Sequence, residues 1–175
     1  MNGSDHKNME ILHGFAPVIA PASRILILGT MPGAMSLEKQ QYYGFPYNAF
    51  WRIMAELTGT SPLPERYGER LAMLTGHGIA LWDVCCTCRR AGSLDSNICD
   101  ERPNDIPGLL AAHPTLRAVA FNGAPAHRLF KKHIGLTAIG EDREVFVLPS
   151  TSPANASWSY GRKLAAWSVL KRYLE

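Results

Sequence analysis

The 175-residue sequence lacks an apolar run long enough to cross a bilayer. Its opening stretch, MNGSDHKNMEILHGF, contains acidic residues and no long apolar segment, so we expect no secretory signal peptide. Repeats, low-complexity tracts and long linkers are also missing. These absences favour a cytoplasmic protein, nucleoid-associated in a bacterium, with residues 1–8 disordered and residues 9–175 folded as one domain. A monomer is the default expectation.

A strong excess of one charge is absent as well. Lys and Arg number 18 against 15 Asp and Glu, which gives a formal net charge of +3 at pH 7. No long run of Lys and Arg marks a dedicated nucleic-acid-binding tail. This mildly basic balance permits DNA binding without requiring it.

The sequence contains one CxxC pair of cysteines and lacks a second. The cysteines stand at positions 85, 86, 88 and 99, and only Cys85 and Cys88 form a CxxC pair. A structural zinc site would need further ligands at matching spacing, so we expect no metal and reduced, partly buried thiols. A redox protein that uses Cys85 and Cys88 stays open as an alternative, which a low thiol pKa would support.

Short apolar runs alternate with stretches of helical spacing along the chain. The predicted strands are residues 24–28, 79–82, 116–121 and 145–148. The predicted helices are residues 49–57, 65–74, 107–112, 124–133 and 158–174. Strands separated by helices predict an α/β fold whose parallel sheet carries helices on both faces.

Three polar segments follow predicted strands, at residues 29–48, 83–97 and 150–157. In open α/β sheets the ligand site lies at the carboxyl ends of the strands. We therefore expect these segments to converge on one site, although they are far apart in the sequence.

The first polar segment begins with GTMPG at residues 29–33. Gly29, Pro32 and Gly33 predict a tight turn directly after a strand, suited to presenting backbone N–H groups to an anion or a base edge. The turn has neither the GxxxxGK[ST] pattern of a P-loop nor the GxGxxG pattern of a dinucleotide-binding fold. Alone, it does not separate a ligand-binding loop from an ordinary connection.

Four blocks in a fixed order are more informative than this turn. The first block is GTMPG, followed by the Tyr42–Tyr43 pair and PYNAFW. The second is LWDVC with RRAGSLDS, the third is FNG at 121–123, and the fourth is LPSTSPANA at 148–156. Together they resemble the uracil-DNA glycosylase superfamily, and most nearly its sixth family, the hypoxanthine-DNA glycosylases. The resemblance covers the chain from residue 24 to its C-terminus.

This resemblance implies a three-layer α/β/α sandwich with a short central parallel sheet. It also implies a base-excision repair enzyme that flips a deaminated base out of DNA and hydrolyses its N-glycosidic bond without a cofactor. Hypoxanthine is the expected base, and uracil is the alternative within the class. A non-catalytic nucleic-acid-binding module is an alternative of another class.

The resemblance assigns catalytic roles to three positions. Most of the superfamily has Asp, Asn or Glu where this chain has Met31, and the sixth-family pattern moves the task of holding water to Asn48. Asn48 also suits a cap for the helix predicted at residues 49–57. Asp83 matches the base-reading position, where a carboxylate accepts from an N–H of hypoxanthine or uracil, and its alternative is a cap or salt bridge. Ser150 stands at the position of the superfamily's second motif that is His or Asn in its other families.

The remaining assignments concern the base and the DNA. Tyr43 is the expected aromatic on which the flipped base stacks. The other expected base-binding residues are Gly29, Thr30, Met31, Pro32, Gly33 and Asn122. The expected DNA-binding residues are Ser152, Ala154 and Asn155, in a loop that fills the gap left by the base, with the cations Arg89, Arg90, Arg162 and Lys163. For the cations, an ordinary solvated surface is the competing interpretation.

One stretch departs from the family pattern. The family usually has His-Pro-Arg-Asn ahead of Phe-Trp, whereas this chain has Phe45-Pro46-Tyr47-Asn48. Two polar side chains beside the expected catalytic Asn have therefore become aromatic. The change bears on the substrate and on contact with DNA.

Overall fold

The structure is a computed structural model that describes residues 8–174. Residues 1–7 of the segment expected to be disordered lie outside the described residues. Within residues 8–174, no helix is long and apolar enough to cross a membrane.

Seven strands and six α-helices follow one another along residues 8–174. The strands are β1 (Leu12–His13), β2 (Ile25–Gly29), β3 (Ile79–Asp83), β4 (Cys85–Arg89), β5 (Cys99–Pro103), β6 (Ala118–Asn122) and β7 (Glu144–Leu148). The helices are α1 (Ala34–Lys39), α2 (Phe50–Thr58), α3 (Tyr67–Gly76), α4 (Ile106–Ala112), α5 (Ala124–His133) and α6 (Tyr160–Trp167). Short 3-10 segments add Asp95–Asn97, Leu136–Ile139 and Ser168–Tyr173.

A four-stranded parallel sheet, in the order β3-β2-β6-β7, forms the centre of the fold. These are the four strands that the apolar runs predict. Continuous apolar runs are typical of parallel strands covered on both faces, and every residue of β2 and β6 is buried.

Helices cover both faces of this sheet. Successive side chains of a strand point to opposite faces, so Ile25 and Ile27 join one buried cluster and Leu26 and Leu28 join another. The first cluster includes buried residues of α2, α3 and α6, and the second includes those of α4 and α5. The fold is therefore the expected three-layer α/β/α sandwich.

A second, antiparallel sheet in the order β1-β4-β5 is not predicted by the sequence. Its middle strand reads Cys-Cys-Thr-Cys-Arg, a sequence without clear apolar alternation. Register shifts along β4 allow both Cys85 and Cys88 to be buried, and they form a small cluster with Met31.

The C-terminal helix is shorter than its prediction. The sequence predicts one helix over residues 158–174, whereas α6 begins at Tyr160 and continues as a 3-10 segment after Trp167. The Ser159 hydroxyl accepts a hydrogen bond from the Arg162 amide and so fixes the start of the helix. Trp158 consequently lies outside the helix, beside the loop at residues 150–157.

Candidate active site

A cavity of about 950 Å³ lies at the carboxyl ends of the parallel strands. The final residues of all four central strands line it: Gly29, Asp83, Asn122 and Leu148. Each of the three polar segments also contributes lining residues, which confirms that they converge. A cavity of this size accommodates a nucleobase together with its sugar.

Asn48 lines this cavity two residues ahead of Phe50, where helix α2 begins. The backbone N–H of Asn48 donates to the Phe45 carbonyl at 3.0 Å. The side-chain Oδ1 of Asn48 accepts from the backbone N–H of Phe50 at 3.0 Å. The side chain therefore caps the first turn of α2 while it faces the cavity, so both interpretations of Asn48 agree with the geometry. The cap fixes the orientation of the carboxamide, and no described residue hydrogen-bonds to its Nδ2.

Asp83 is a buried carboxylate at the end of β3, only 4% exposed. Among the described residues its buried Oδ2 has no hydrogen-bond partner, so the acceptor capacity of this oxygen is unused within the protein. Burial, reinforced by the negative charge of Asp95 and opposed by Arg90, raises the pKa of Asp83 to about 7. This carboxyl group therefore changes charge near neutral pH.

Gly29 allows two functional side chains to approach the backbone closely. A Cβ atom at this position would lie 2.5 Å from Asp83 Oδ1 and 3.0 Å from the Tyr43 hydroxyl. Both distances are shorter than ordinary van der Waals contact. The absence of a side chain at Gly29 thus brings the carboxylate and the phenol together at the cavity wall.

Tyr43 is held from several sides. Its ring stacks on Phe50 with centroids 4.0 Å apart and planes at 21°, and its hydroxyl accepts from Asn122 Nδ2 at 3.0 Å. Its φ of 51° lies in the left-handed region, which is uncommon for a residue other than Gly, Asn or Asp. Because the ring also lines the cavity, it forms a rigid wall on which a planar base can stack.

Asn122 organises the site through its own hydrogen bonds. Its Nδ2 donates to both the Tyr43 hydroxyl and Thr151 Oγ1, and its Oδ1 accepts from the Thr151 amide, each at 3.0 Å. The Thr151 carbonyl in turn accepts from the Ala49 amide at 3.0 Å. Because both amide hydrogens of Asn122 have internal partners, the residue positions Tyr43 and Thr151, and its contact with the base stays a prediction. Thr151 was not singled out in the sequence, since nothing distinguishes it from the serines on either side.

The GTMPG turn is held by the segment that follows β4. Thr30 Oγ1 donates to Asp95 Oδ1 at 2.6 Å, and the Ala34 amide donates to Ser93 Oγ at 2.9 Å. Ser93 and Asp95 also line the cavity. They lie within the RRAGSLDS block but carry no individual signal, because their partners are 59 and 65 residues away.

Met31 is among the residues that line the cavity, and its side chain packs with Cys85 and Cys88. The thioether therefore belongs to an apolar cluster, as expected of a residue that cannot hold water.

Burial raises the pKa of Cys85 to about 12 and also raises that of Cys88. The low thiol pKa that would support the redox alternative is therefore absent at both positions. No group of three or more His, Cys, Asp or Glu side chains within residues 8–174 has metal-site geometry.

The loop after β7 closes another side of the cavity. Ser150, Ser152, Ala154 and Asn155 all line it. Ser150 Oγ accepts from the Ser152 amide at 3.2 Å, and Asn155 Nδ2 donates to the Ser150 carbonyl at 3.2 Å. These bonds give the loop a defined shape, and they use the Ser150 hydroxyl as an acceptor within it.

The four cations differ in their surroundings. Arg90 is 6% exposed and donates to the carbonyls of Pro32 and Gly92, and Lys163 is 5% exposed and donates to the Ser152 carbonyl. Both cations therefore hold loops from within the protein, and their contact with phosphates stays a prediction. A run of polar residues in the sequence does not reveal this burial.

Arg89 and Arg162 remain at the surface. Arg89 lies on β4, forms an ion pair with Asp100 at 3.5 Å and is not among the cavity residues. The Arg162 guanidinium lies 4.2 Å from the centre of the Trp158 ring, and Trp158 lines the cavity. Of the four cations, Arg162 is therefore the exposed one that stacks on a cavity-lining side chain, and its contact with DNA stays a prediction.

Comparisons with known proteins agree with this geometry. The family model described as "Uracil DNA glycosylase superfamily" matches residues 16–171. A hypoxanthine DNA glycosylase of Methanosarcina acetivorans is 39% identical over 93% of this chain and 99% of the relative. One from Methanosarcina barkeri is 43% identical over 91% of this chain and 98% of the relative.

A solved structure also matches the fold. The solution NMR structure of a Methanosarcina acetivorans protein described as a uracil DNA glycosylase superposes with a TM-score of 0.80 at 39% identity. The match covers 94% of this chain and 98% of that protein. The chain therefore belongs to the uracil-DNA glycosylase superfamily.

Proposed function

We propose that this protein is a monofunctional DNA glycosylase that removes hypoxanthine from deoxyinosine. The observation that carries the proposal is the grouping of Asn48, Asp83 and Tyr43 around one cavity at the sheet edge. They supply an amide that can orient a water, a carboxylate with a free oxygen and an aromatic wall. The two Methanosarcina relatives are named for this activity.

The base must leave the DNA helix to reach these groups, since the cavity is lined by buried side chains. We infer that the extruded base stacks on Tyr43, with Phe50 supporting the ring from behind. Asp83 Oδ2 then accepts the N1–H of hypoxanthine. The ionised carboxylate makes the stronger contact, because a charged acceptor strengthens the hydrogen bond.

Bond cleavage follows from this placement. The N9–C1′ bond breaks with its electron pair leaving on the purine, and the sugar becomes oxocarbenium-like. A water oriented by Asn48 adds to C1′, its proton passes to solvent, and the purine is protonated as it departs. The products are hypoxanthine and an abasic site, and the balance requires no metal or cofactor.

DNA contacts belong to the proposal as well. Ser152, Ala154 and Asn155 lie on the ordered loop at the cavity, where they can enter the gap left by the base. Arg162, stacked on Trp158, is the proposed phosphate ligand at the same rim. A monomer and a cytoplasmic, DNA-associated location remain parts of the same proposal.

A panel of duplex oligonucleotides tests the substrate. Each duplex carries inosine, uracil or xanthine at one position and is incubated with the protein, then treated with alkali to cut abasic sites. We expect inosine to be cleaved fastest, because the relatives are named for hypoxanthine. Faster cleavage of uracil would move the protein to the alternative within the class, and no cleavage of any duplex would remove the enzyme assignment.

A further inference from the structure

Two exposed aromatic side chains beside the cavity have no role in the proposed chemistry. Tyr47 is 78% exposed, the most exposed of the large apolar side chains within residues 8–174, and Phe45 is 39% exposed. Their rings meet edge to face with centroids 5.6 Å apart. Exposed apolar groups that cluster beside a binding cavity mark an interaction surface more often than isolated ones do.

These rings are mounted on a rigid turn, residues 45–48, which we call the aromatic turn. The Asn48 amide closes it by donating to the Phe45 carbonyl at 3.0 Å, and Pro46 restricts its second position. The turn is anchored at its end, because the Asn48 side chain caps α2 and the next amide, that of Ala49, donates to Thr151. The rings are therefore held in place before any ligand arrives, which reduces the entropy lost on binding.

Position relative to the cavity indicates what the rings meet. Phe45 lines the cavity together with Asn48, while Tyr47 is exposed, is not among the lining residues and contacts the Phe45 ring. A nucleotide whose base is extruded into the cavity has its neighbours along the same strand at the mouth. The aromatic turn borders the cavity, so a neighbouring nucleotide at the mouth can reach it.

The chemistry of the rings selects a base rather than a phosphate. Neither side chain carries a charge at neutral pH, whereas phosphates are bound by Arg, Lys and N–H donors. Flat aromatic faces bind unpaired bases by stacking and tolerate any sequence. In a duplex the neighbouring base is already stacked and paired, but in a single strand its face is free.

We propose that Phe45 and Tyr47 form a second stacking site, for the unpaired base next to the extruded one, and that this site makes single-stranded DNA a substrate. The proposal rests on the proposed function, since it needs a base in the cavity. It goes further by naming the strand state that the protein accepts.

Binding to a single-stranded oligonucleotide that carries one 2′-fluoro-deoxyinosine, whose N-glycosidic bond resists cleavage, is the first test and is followed by fluorescence anisotropy. Phe45→Ala and Tyr47→Ala should each weaken binding by about 5- to 150-fold, the range found when one stacked base loses its aromatic partner. Tyr47→Phe should bind like the wild type, and Tyr47→Leu, which keeps apolar bulk without a ring, should bind like Tyr47→Ala. The matched control is Val145→Ala, an exposed apolar residue on β7 that does not line the cavity.

Salt dependence identifies the kind of contact that is lost. Stacking releases no counterions, so the slope of affinity against salt should be the same in the wild type and in Tyr47→Ala. A reduced slope would mean that a phosphate contact had been lost and would overturn the stacking site. Equal affinities for Tyr47→Leu and Tyr47→Phe would also overturn it, and would point to an apolar protein surface in its place. Dissociation of a dimer in the Ala variants would make the turn a contact between copies of the chain.

A cleavage assay distinguishes failure of the stacking site from failure of the glycosylase assignment. Under single-turnover conditions, with enzyme below the single-strand dissociation constant, both Ala variants should lose more activity on single-stranded than on duplex inosine DNA. If the wild type cuts duplex inosine but the variants match it on single strands, the stacking site is wrong and the glycosylase assignment stands. If the wild type releases no base from either DNA, the glycosylase assignment fails and single-turnover cleavage gives the stacking site no support.

Discussion

Gly29→Ala would test whether the close approach of backbone, carboxylate and phenol is required for activity. The added Cβ would lie 2.5 Å from Asp83 Oδ1, and ordinary contact needs about 3.5 Å, so the carboxylate must move by roughly 1 Å. A displacement of about 1 Å in a reacting group can cost about 100-fold in rate. We therefore expect the single-turnover rate on inosine DNA to fall by about 100-fold.

The assay compares this variant with two other glycine substitutions. A Cβ at Gly33, in the same loop, would lie 3.5 Å from Ser93 Oγ, an ordinary contact, so Gly33→Ala should lose at most a few-fold in rate. A Cβ at Gly68, in helix α3, meets nothing within 4 Å, so Gly68→Ala serves as the remote control. Thermal unfolding of all three shows whether rate changes reflect unfolding.

A double variant identifies the group through which the clash acts. In an Asp83→Ala background the added methyl group no longer meets a carboxylate, so Gly29→Ala should have little further effect. A Gly29→Ala protein with the wild-type rate would refute the reasoning, because Asp83 could then move without consequence. If Gly29→Ala still lowers the rate by about 100-fold in the Asp83→Ala background, the added methyl group acts through its clash with the Tyr43 hydroxyl.

Three further predictions concern the base, the carboxylate and the metal requirement. Tyr43→Ala should weaken binding to inosine DNA by about 1–3 kcal/mol more than binding to undamaged DNA, because only an extruded base meets the ring. Equal loss with both DNAs in a titration would give Tyr43 a folding role. The single-turnover rate should rise as pH increases through about 7, since the pKa of Asp83 is raised to about 7 and the charged carboxylate is the stronger acceptor. Asp83→Asn should flatten this profile, and a rate that falls with pH would make the protonated acid the working form. Cleavage should proceed unchanged in excess EDTA, and a rate restored by one added metal would contradict the proposed chemistry.

The central sheet and its helices were predictable because their signals are local. The apolar run that becomes β2 and the Ala124–His133 helix carry their period in the sequence itself. The sheet β1-β4-β5 was not predictable, because β1 has two residues and β4 contains irregular register. Its formation depends on tertiary contacts such as the burial of Cys85 and Cys88.

The residues of the candidate site likewise fall into those that the sequence predicts and those that it does not. Asn48, Asp83 and Tyr43 were found because the family blocks assign them, and the structure places all three at one cavity. Thr151 and Asp95 act through partners that are distant in sequence, which a single sequence does not reveal. Charge type alone likewise could not separate the buried Lys163 from surface cations.

Single-turnover cleavage of duplex inosine DNA by Asn48→Ala tests the central claim most directly. Removing one transition-state partner typically costs about 10²–10³ in rate, so we expect a loss of that size with DNA binding nearly intact. Because Ala also removes the cap of α2, Asn48→Asp is the matched control: it keeps a capping oxygen and an acceptor for water, and should retain more activity. Near-normal cleavage by a stably folded Asn48→Ala protein would contradict the account and make Asp83 the leading candidate for holding the water.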